Sequence, residues 1–354
     1  MLKKTFIGIL TVVLMFPLMV VTVNAEQCDS NSLKLRTDFH KHIISPDVGN
    51  ALRMLGIPLN IMTGEDIINN VPHGSKAIVL SDAYMVSRLA DYGLISDEYE
   101  TVKRSNNYVS VQCAVYSNKL IPYGSINPLK DYAFEEIERC REELNLKGLK
   151  MHFANSGVDL KNPEHFNKIR KIFAYASKNK IPLLVHQRNV EEPYGSADAK
   201  KLVGLLAQYP ELKIQLAHLG GWGGFDHASY EYLQTLVQEL KAHPEIKNVY
   251  LDLSGVVLTD QANPALAEGV PTPTAGDYQK AAALIRDFGL DKIVFGSDTP
   301  LYNSTDDYIE AFSENFPLTK KEMKKIFEQT PDKTLFKGLK FSIGPVEHSR
   351  RHCQ

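Results

Sequence analysis

The sequence predicts an α/β protein, a single (β/α)8 TIM barrel behind a cleaved signal peptide. Three observations lead there. Eight short apolar or β-branched runs alternate with amphipathic helical stretches. Histidines and acids gather at the C-terminal ends of those runs, and no glycine-rich phosphate loop follows any of them. The chain has 354 residues, 44% hydrophobic and 23% charged, which is ordinary for a globular protein and enough to bury a large core. A formal net charge of -2 lacks the basic footprint of a nucleic-acid binder.

The first residues stand apart. Lys3 and Lys4 make a short basic start, and no charge follows until Glu26. Val23-Asn24-Ala25 places small or aliphatic residues where a signal peptidase reads them. An uncleaved anchor is the alternative, because the uncharged stretch is just long enough to span a bilayer. Pro17 and the Val-Asn-Ala ending favour cleavage. The expected organisation is residues 1–25 as signal peptide, 26–345 as barrel and 346–354 as tail. The mature protein is then exported, periplasmic or secreted, with no stable membrane insertion. Export puts the four cysteines in an oxidising compartment. Cys28 and Cys353 lie near the two ends of the mature chain, and the first strand and last helix of a closed barrel are neighbours, so these two are a candidate disulfide. Cys113 and Cys140 read as buried thiols. The absence of CxxC spacing argues against a cysteine-based zinc site.

In chain order the strand runs are 33–43, 76–82, 108–116, 148–155, 181–187, 213–220, 248–256 and 292–298. They are nearly continuous in apolar residues until their last few positions, as parallel strands buried on both faces should be. Helical patterns fall between them at 132–144, 162–176, 277–288 and 319–327, with Asn162 and Pro163 suited to the cap and first turn of the second. The irregular stretch 258–276, with three prolines and two glycines, reads as a loop over the catalytic end. A doubly wound open sheet is the alternative, since periodicity alone does not prove closure.

The polar residues decide what the barrel does. Strand one ends Asp38-Phe39-His40-Lys41-His42, strand four Lys150-Met151-His152, and strand five His186-Gln187-Arg188. Strand six ends His218-Leu219-Gly220-Gly221 and strand eight Ser297-Asp298. In a barrel these positions converge on one face, where barrel active sites lie. His40 and His42, two apart on a strand, share a face and can share a metal. Three imidazoles and a carboxylate, from His40, His42, His186 and Asp298, suit one divalent ion, zinc first and manganese as the alternative.

The segments Asp38 to His42, Gly148 to His152, Leu184 to Gln187, Leu216 to Gly221 and Ile293 to Asp298, in this order, resemble the amidohydrolase superfamily. The likeness is to its amidohydrolase-related branch, which includes the aminocarboxymuconate semialdehyde decarboxylase-like enzymes. It implies a (β/α)8 barrel with a catalytic metal held by His40, His42, His186 and Asp298. It further implies that His218 acts beside the metal. Some binuclear superfamily members bridge two metals with a carboxylated lysine on strand four. Lys150 is read here instead as pairing with an acid or a substrate carboxylate, and it or His152 is expected to reach the mouth. Arg188, with its bidentate fork, is a second candidate anchor, a surface salt bridge being equally open. Trp222, the single tryptophan, is placed to wall the pocket or to pack under the loop.

The reading these residues support first is hydrolysis of a small-molecule ester, lactone or amide by a metal-activated water. Asp298 would accept the water's proton, and His218 would orient the nucleophile or steady the oxyanion. Non-oxidative decarboxylation of a small carboxylated substrate is the alternative within the same branch, as is a metal-free lactonase. Export favours the hydrolase. A non-catalytic barrel that binds a small molecule is the second alternative, and a homodimer is compatible with the resemblance.

Overall fold

The computed structural model describes residues 33–189 and 193–328. The leader, the Cys28–Cys353 pairing and the 346–354 tail lie outside the described residues.

Eight strands run parallel and pair in sequence order. They are β1 (Thr37–His42), β2 (Lys76–Leu80), β3 (Leu120–Ser125) and β4 (Gly148–His152). The second half comprises β5 (Leu183–His186), β6 (Ile214–Leu216), β7 (Val249–Asp252) and β8 (Ile293–Val294). The chain just past β8 closes the ring against β1. Phe39 N donates to Phe295 O at 2.9 Å, Asp298 N to His40 O at 2.8 Å and His42 N to Thr299 O at 3.0 Å. This decides for the barrel over the open sheet.

Alternation along each strand sorts side chains into two sets. Leu149 and Met151, Leu183 and Val185, and Val249 and Leu251 pack outward among the helices. Phe39, Ile78, Tyr123, Leu184, Tyr250 and Val294 fill the barrel interior. The same inward faces, one step nearer the C-terminal end, carry Lys150, His152, His186 and Asp252. β1 departs from strict alternation. Its register against β2 slips between Asp38 and Lys41, a bulge that re-aims the strand. Phe39 thereby enters the interior floor while His40 and His42 still meet above it.

One strand assignment is corrected. Residues 108–114 belong to the helix Glu98–Ala114, Val115 is its C-cap and Tyr116 lies in the turn beyond, and the third strand is Leu120–Ser125. Val102, Val109 and Cys113 are buried at helical spacing, whereas Val111 and Val115 are 63% and 73% exposed. Pro122 and Gly124 mask the true strand's signal. Gly124 is needed there, because a Cβ would come within 2.9 Å of both Cys140 Sγ and Leu146 Cδ1. Cys113 and Cys140 are both buried, free thiols, as expected. The Asn162 side chain accepts from the amides of Glu164 and His165, capping the helix Pro163–Asn179 at the predicted place.

Candidate metal centre

Each strand end delivers its polar residue to one mouth. His40 Nε2 lies 3.2 Å from His42 Nε2, and these two atoms lie 3.4 and 3.3 Å from Asp298 Oδ1. Asp298 reaches them from a left-handed backbone position (φ 58°), uncommon for a residue with a side chain and typical of places where geometry is imposed. The ligand atoms of His40, His218 and Asp298 lie within 4.8 Å of one another. His218 is also left-handed (φ 54°), in a turn that Gly220 completes where a Cβ would collide with Tyr232.

The imidazoles are held neutral. Burial, with Lys150 beside it, pushes His40 down to about 3, although Asp252 and Asp298 pull the other way. Burial lowers His42, His152 and His186 as well. Burial disfavours ionisation of Asp298, but His218, His40 and His42 outweigh it and hold the carboxyl below the usual range. Neutral imidazoles beside an ionised carboxylate are the protonation states a metal requires.

Two further facts test the fit of a cation. His186 Nε2 is buried and has no hydrogen-bond partner, a state that costs roughly 1–3 kcal/mol if nothing fills it. His40 Nδ1 lies 2.9 Å from the ionised Asp252 carboxylate and donates to it, so its Nε2 presents a lone pair toward the Asp298 oxygen. Lys150 Nζ meets that lone pair at 3.2 Å, so a cationic donor already stands where these atoms converge. His40, His42 and Asp298 lie within 3.4 Å of one another, His218 joins His40 and Asp298 within 4.8 Å, and imidazoles beside a carboxylate have the chemistry to hold one divalent ion.

Lys150 is fully buried, and its Nζ donates to His40 Nε2 at 3.2 Å; burial lowers it to about 8. His152 is stacked between Tyr84 (5.0 Å between centroids) and His186 (3.9 Å), and Trp222 meets the His186 ring edge-on at 5.5 Å. These rings side a cavity of about 180 Å³ whose outer part is apolar, with Leu59, Met85, Leu266 and Val270. The last two come from the 258–276 loop, which therefore does cover the catalytic end. Arg188 does not line this cavity. Its guanidinium bonds both oxygens of Asp226 at 2.9 Å, at the cap of the helix His227–Ala242. The arrangement observed is an ion pair, largely buried and not the surface pair expected.

Sequence reasoning missed four contributors: Tyr84, Gln215, Asp252 and Ser254. Tyr84 is a wall, and Asp252 gathers Gln215, Ser254 and His40. Asp252, at the end of β7, offered the same signal as Asp298, an acid at a strand end, without a histidine beside it to draw notice.

The profile of the amidohydrolase family matches residues 37–337. Similar solved structures include a 5-carboxyvanillate decarboxylase from Novosphingobium aromaticivorans complexed with manganese and 4-hydroxy-3-methoxy-5-nitrobenzoic acid. It is 17% identical over 87% of this chain and 99% of its own, with a TM-score of 0.57. A 2,6-dihydroxybenzoate decarboxylase from Rhizobium is 17% identical over 86% and 99%, with a TM-score of 0.55. An amidohydrolase from Burkholderia multivorans with bound zinc is 16% identical over 85% and 99%, with a TM-score of 0.54. At these identities the likeness is one of fold. No curated protein matches the sequence.

Proposed function

The chain belongs to the amidohydrolase family, and from that premise we propose that it is a metal-dependent decarboxylase of a small, planar carboxylated substrate. One observation carries this reading. The cavity is sided by the rings of Tyr84, His152, His186 and Trp222, and Lys150 is the single lysine or arginine among its described lining residues. Such a slot admits a flat ring and steers its carboxylate to the metal end. The decarboxylases among the similar structures, matched over 97–99% of their length, support it by analogy of fold. This is the alternative of the sequence reading, now placed ahead of hydrolysis.

A divalent ion held by His40, His42, His186 and Asp298 would neutralise the substrate's anionic oxygens and accept charge as the bond breaks. The remaining work falls to the chain. Lys150 pairs with the substrate carboxylate. Tyr84, His152 and Trp222 hold the ring and exclude water. The bond between ring carbon and carboxyl carbon breaks, its electron pair stays on the ring carbon, carbon dioxide leaves, and that carbon takes a proton. His218 Nδ1 donates to Ser254 O at 2.6 Å, so His218 exchanges protons at Nε2.

Hydrolysis of an ester, lactone or amide is the second reading, favoured by Asp298 standing close enough to His218 to accept a proton from water. The leader-like start makes export part of the same proposal. The test is elemental analysis of protein purified without chelator, beside His186→Ala, followed by assays with hydroxylated aromatic acids and with a lactone and ester panel. About one manganese or zinc per chain, lost in the variant, with carbon dioxide released from an aromatic acid, is the expected result. Acid release from the lactone or ester panel alone would shift the assignment to hydrolysis. A chain that takes no metal on reconstitution overturns both readings.

A further inference from the structure

Asp252 is completely buried and does not line the cavity. Five groups converge on its two oxygens. Oδ2 takes His40 Nδ1 at 2.9 Å and Gln215 Nε2 at 2.7 Å. Oδ1 takes the His218 amide at 2.8 Å, Ser254 Oγ at 2.5 Å and the Ser254 amide at 3.2 Å. The two backbone amides can only donate. Gln215 Nε2 also donates to Phe39 O at 3.2 Å, which fixes its NH2 toward Asp252, so both oxygens of Asp252 act as acceptors.

Two consequences follow from one side chain. His40 must carry its proton on Nδ1, so its Nε2 is the acceptor that Lys150 Nζ meets at 3.2 Å on the side of His42 and Asp298. The His218 backbone is tied down in its left-handed turn, which delivers its Nδ1 to the carbonyl of Ser254 at 2.6 Å and turns Nε2 the other way. We propose that Asp252 is the positioning residue of this site: one buried carboxylate, steadied by Ser254 and Gln215, sets the tautomer of His40 and the turn that holds His218, so that His40 turns Nε2 toward His42 and Asp298 and His218 turns Nε2 toward the cavity. As far as it concerns metal binding, this rests on the metal reading above.

Asp252→Asn probes it with almost no change of shape. An amide must place its NH2 against one of the two donor groups. Facing the two backbone amides it has no relief. Facing His40 and Gln215 the conflict is smaller, because His40 can move its proton to Nε2, while Gln215 stays held by its donation to Phe39 O at 3.2 Å. The expected variant therefore carries Nε2–H at His40 and binds manganese or zinc about 10- to 100-fold more weakly, the usual consequence of losing a carboxylate behind a histidine ligand.

The first readout is the 15N spectrum of the histidine rings in metal-free wild-type protein, with His40→Gln for assignment. Nδ1–H at His40 in the wild type is expected, and Nε2–H there overturns the proposal. The second is competition for the metal against a chromogenic chelator. A folded Asp252→Asn chain with wild-type affinity and an unchanged His40 tautomer also overturns it. If that variant does not fold, the wild-type spectrum still decides, and Ser254→Ala, which keeps the carboxylate, is expected to weaken metal binding by less than 10-fold. Should the wild type bind no metal while His40 shows Nδ1–H, the metal reading fails and the orienting role of Asp252 stands.

Discussion

Arg188 and Lys150 were equally eligible anchors for a carboxylate, and their surroundings separate them. Arg188 is bound to Asp226 and Ser229, so Arg188→Met should lower stability by about 1–3 kcal/mol through an unpaired, partly buried Asp226. Metal content and KM should not change. Lys150→Met should keep or raise stability, since an apolar group replaces a buried charge, while activity falls more than 10-fold. Denaturant unfolding and steady-state kinetics on the two variants check both; a KM change confined to Arg188→Met would reverse the assignment. Asp82 offers a pH test away from the metal. Its buried carboxyl, bonded to Ser45 N at 2.7 Å, is raised from 3.8 to about 6, burial outweighing the Ser45 and Ser105 hydrogen bonds. Between those values the folded chain keeps a proton that the unfolded chain releases. This group's contribution is therefore present at low pH and declines as pH rises, by about 3 kcal/mol in all. Asp82→Asn should gain on the wild type across that window in urea unfolding, and a pH-independent difference would refute it.

At the scale of the element, the β1 bulge and the glycine contacts decide what the mouth looks like. With strict alternation Asp38 would share the face of His40 and His42. Instead Asp38 accepts from Ser297 Oγ at 2.6 Å and Thr305 Oγ1 at 2.8 Å, pinning β1 to the segment after β8 and to the helix Thr305–Asn315. The 258–276 loop packs closely over Gly224, whose own amide bonds to Gly255 just ahead of that loop. Gly224 N donates to Gly255 O at 2.6 Å, and a Cβ on Gly224, whose φ is +63°, would overlap the carbonyl of Pro271. Gly224→Ala should therefore release the loop without unfolding the barrel. Hydrogen exchange and limited proteolysis should show faster exchange and cleavage within 258–276 alone, with global unfolding lowered by no more than about 1–2 kcal/mol. Protection of the loop equal to the wild type would show that this packing is unimportant.

Across the whole molecule, the candidate ligands come from β1, the segment after β8 that closes against it, and β5, which lies elsewhere in the ring. An ion bound there ties together strands that are far apart in sequence and exists only in the folded state. Free manganese or zinc at about 100-fold over its Kd should add about 3 kcal/mol to the unfolding free energy. A chelator should remove that gain, and His186→Ala should show little of it. Thermal or denaturant unfolding with and without metal measures it. Equal stabilisation of the variant would place the ion elsewhere.

Patterns of residues along the chain were enough for the barrel and for the set of side chains at its mouth. Hydrophobic runs and helical periods are local properties, and parallel strands buried on both faces read plainly. The histidine and aspartate positions at five strand ends were legible for the same reason, since strand direction alone sends them to one face. The third strand was not, because Pro122 and Gly124 weaken a strand signal while the valines of the preceding helix imitate one. Closure of the ring, the β1 bulge, the pairing of Arg188 with Asp226 and the gathering of five groups on Asp252 were decided only in three dimensions. Each depends on contacts between residues tens to hundreds of positions apart, made where burial leaves a polar group no partner but the one the fold brings to it.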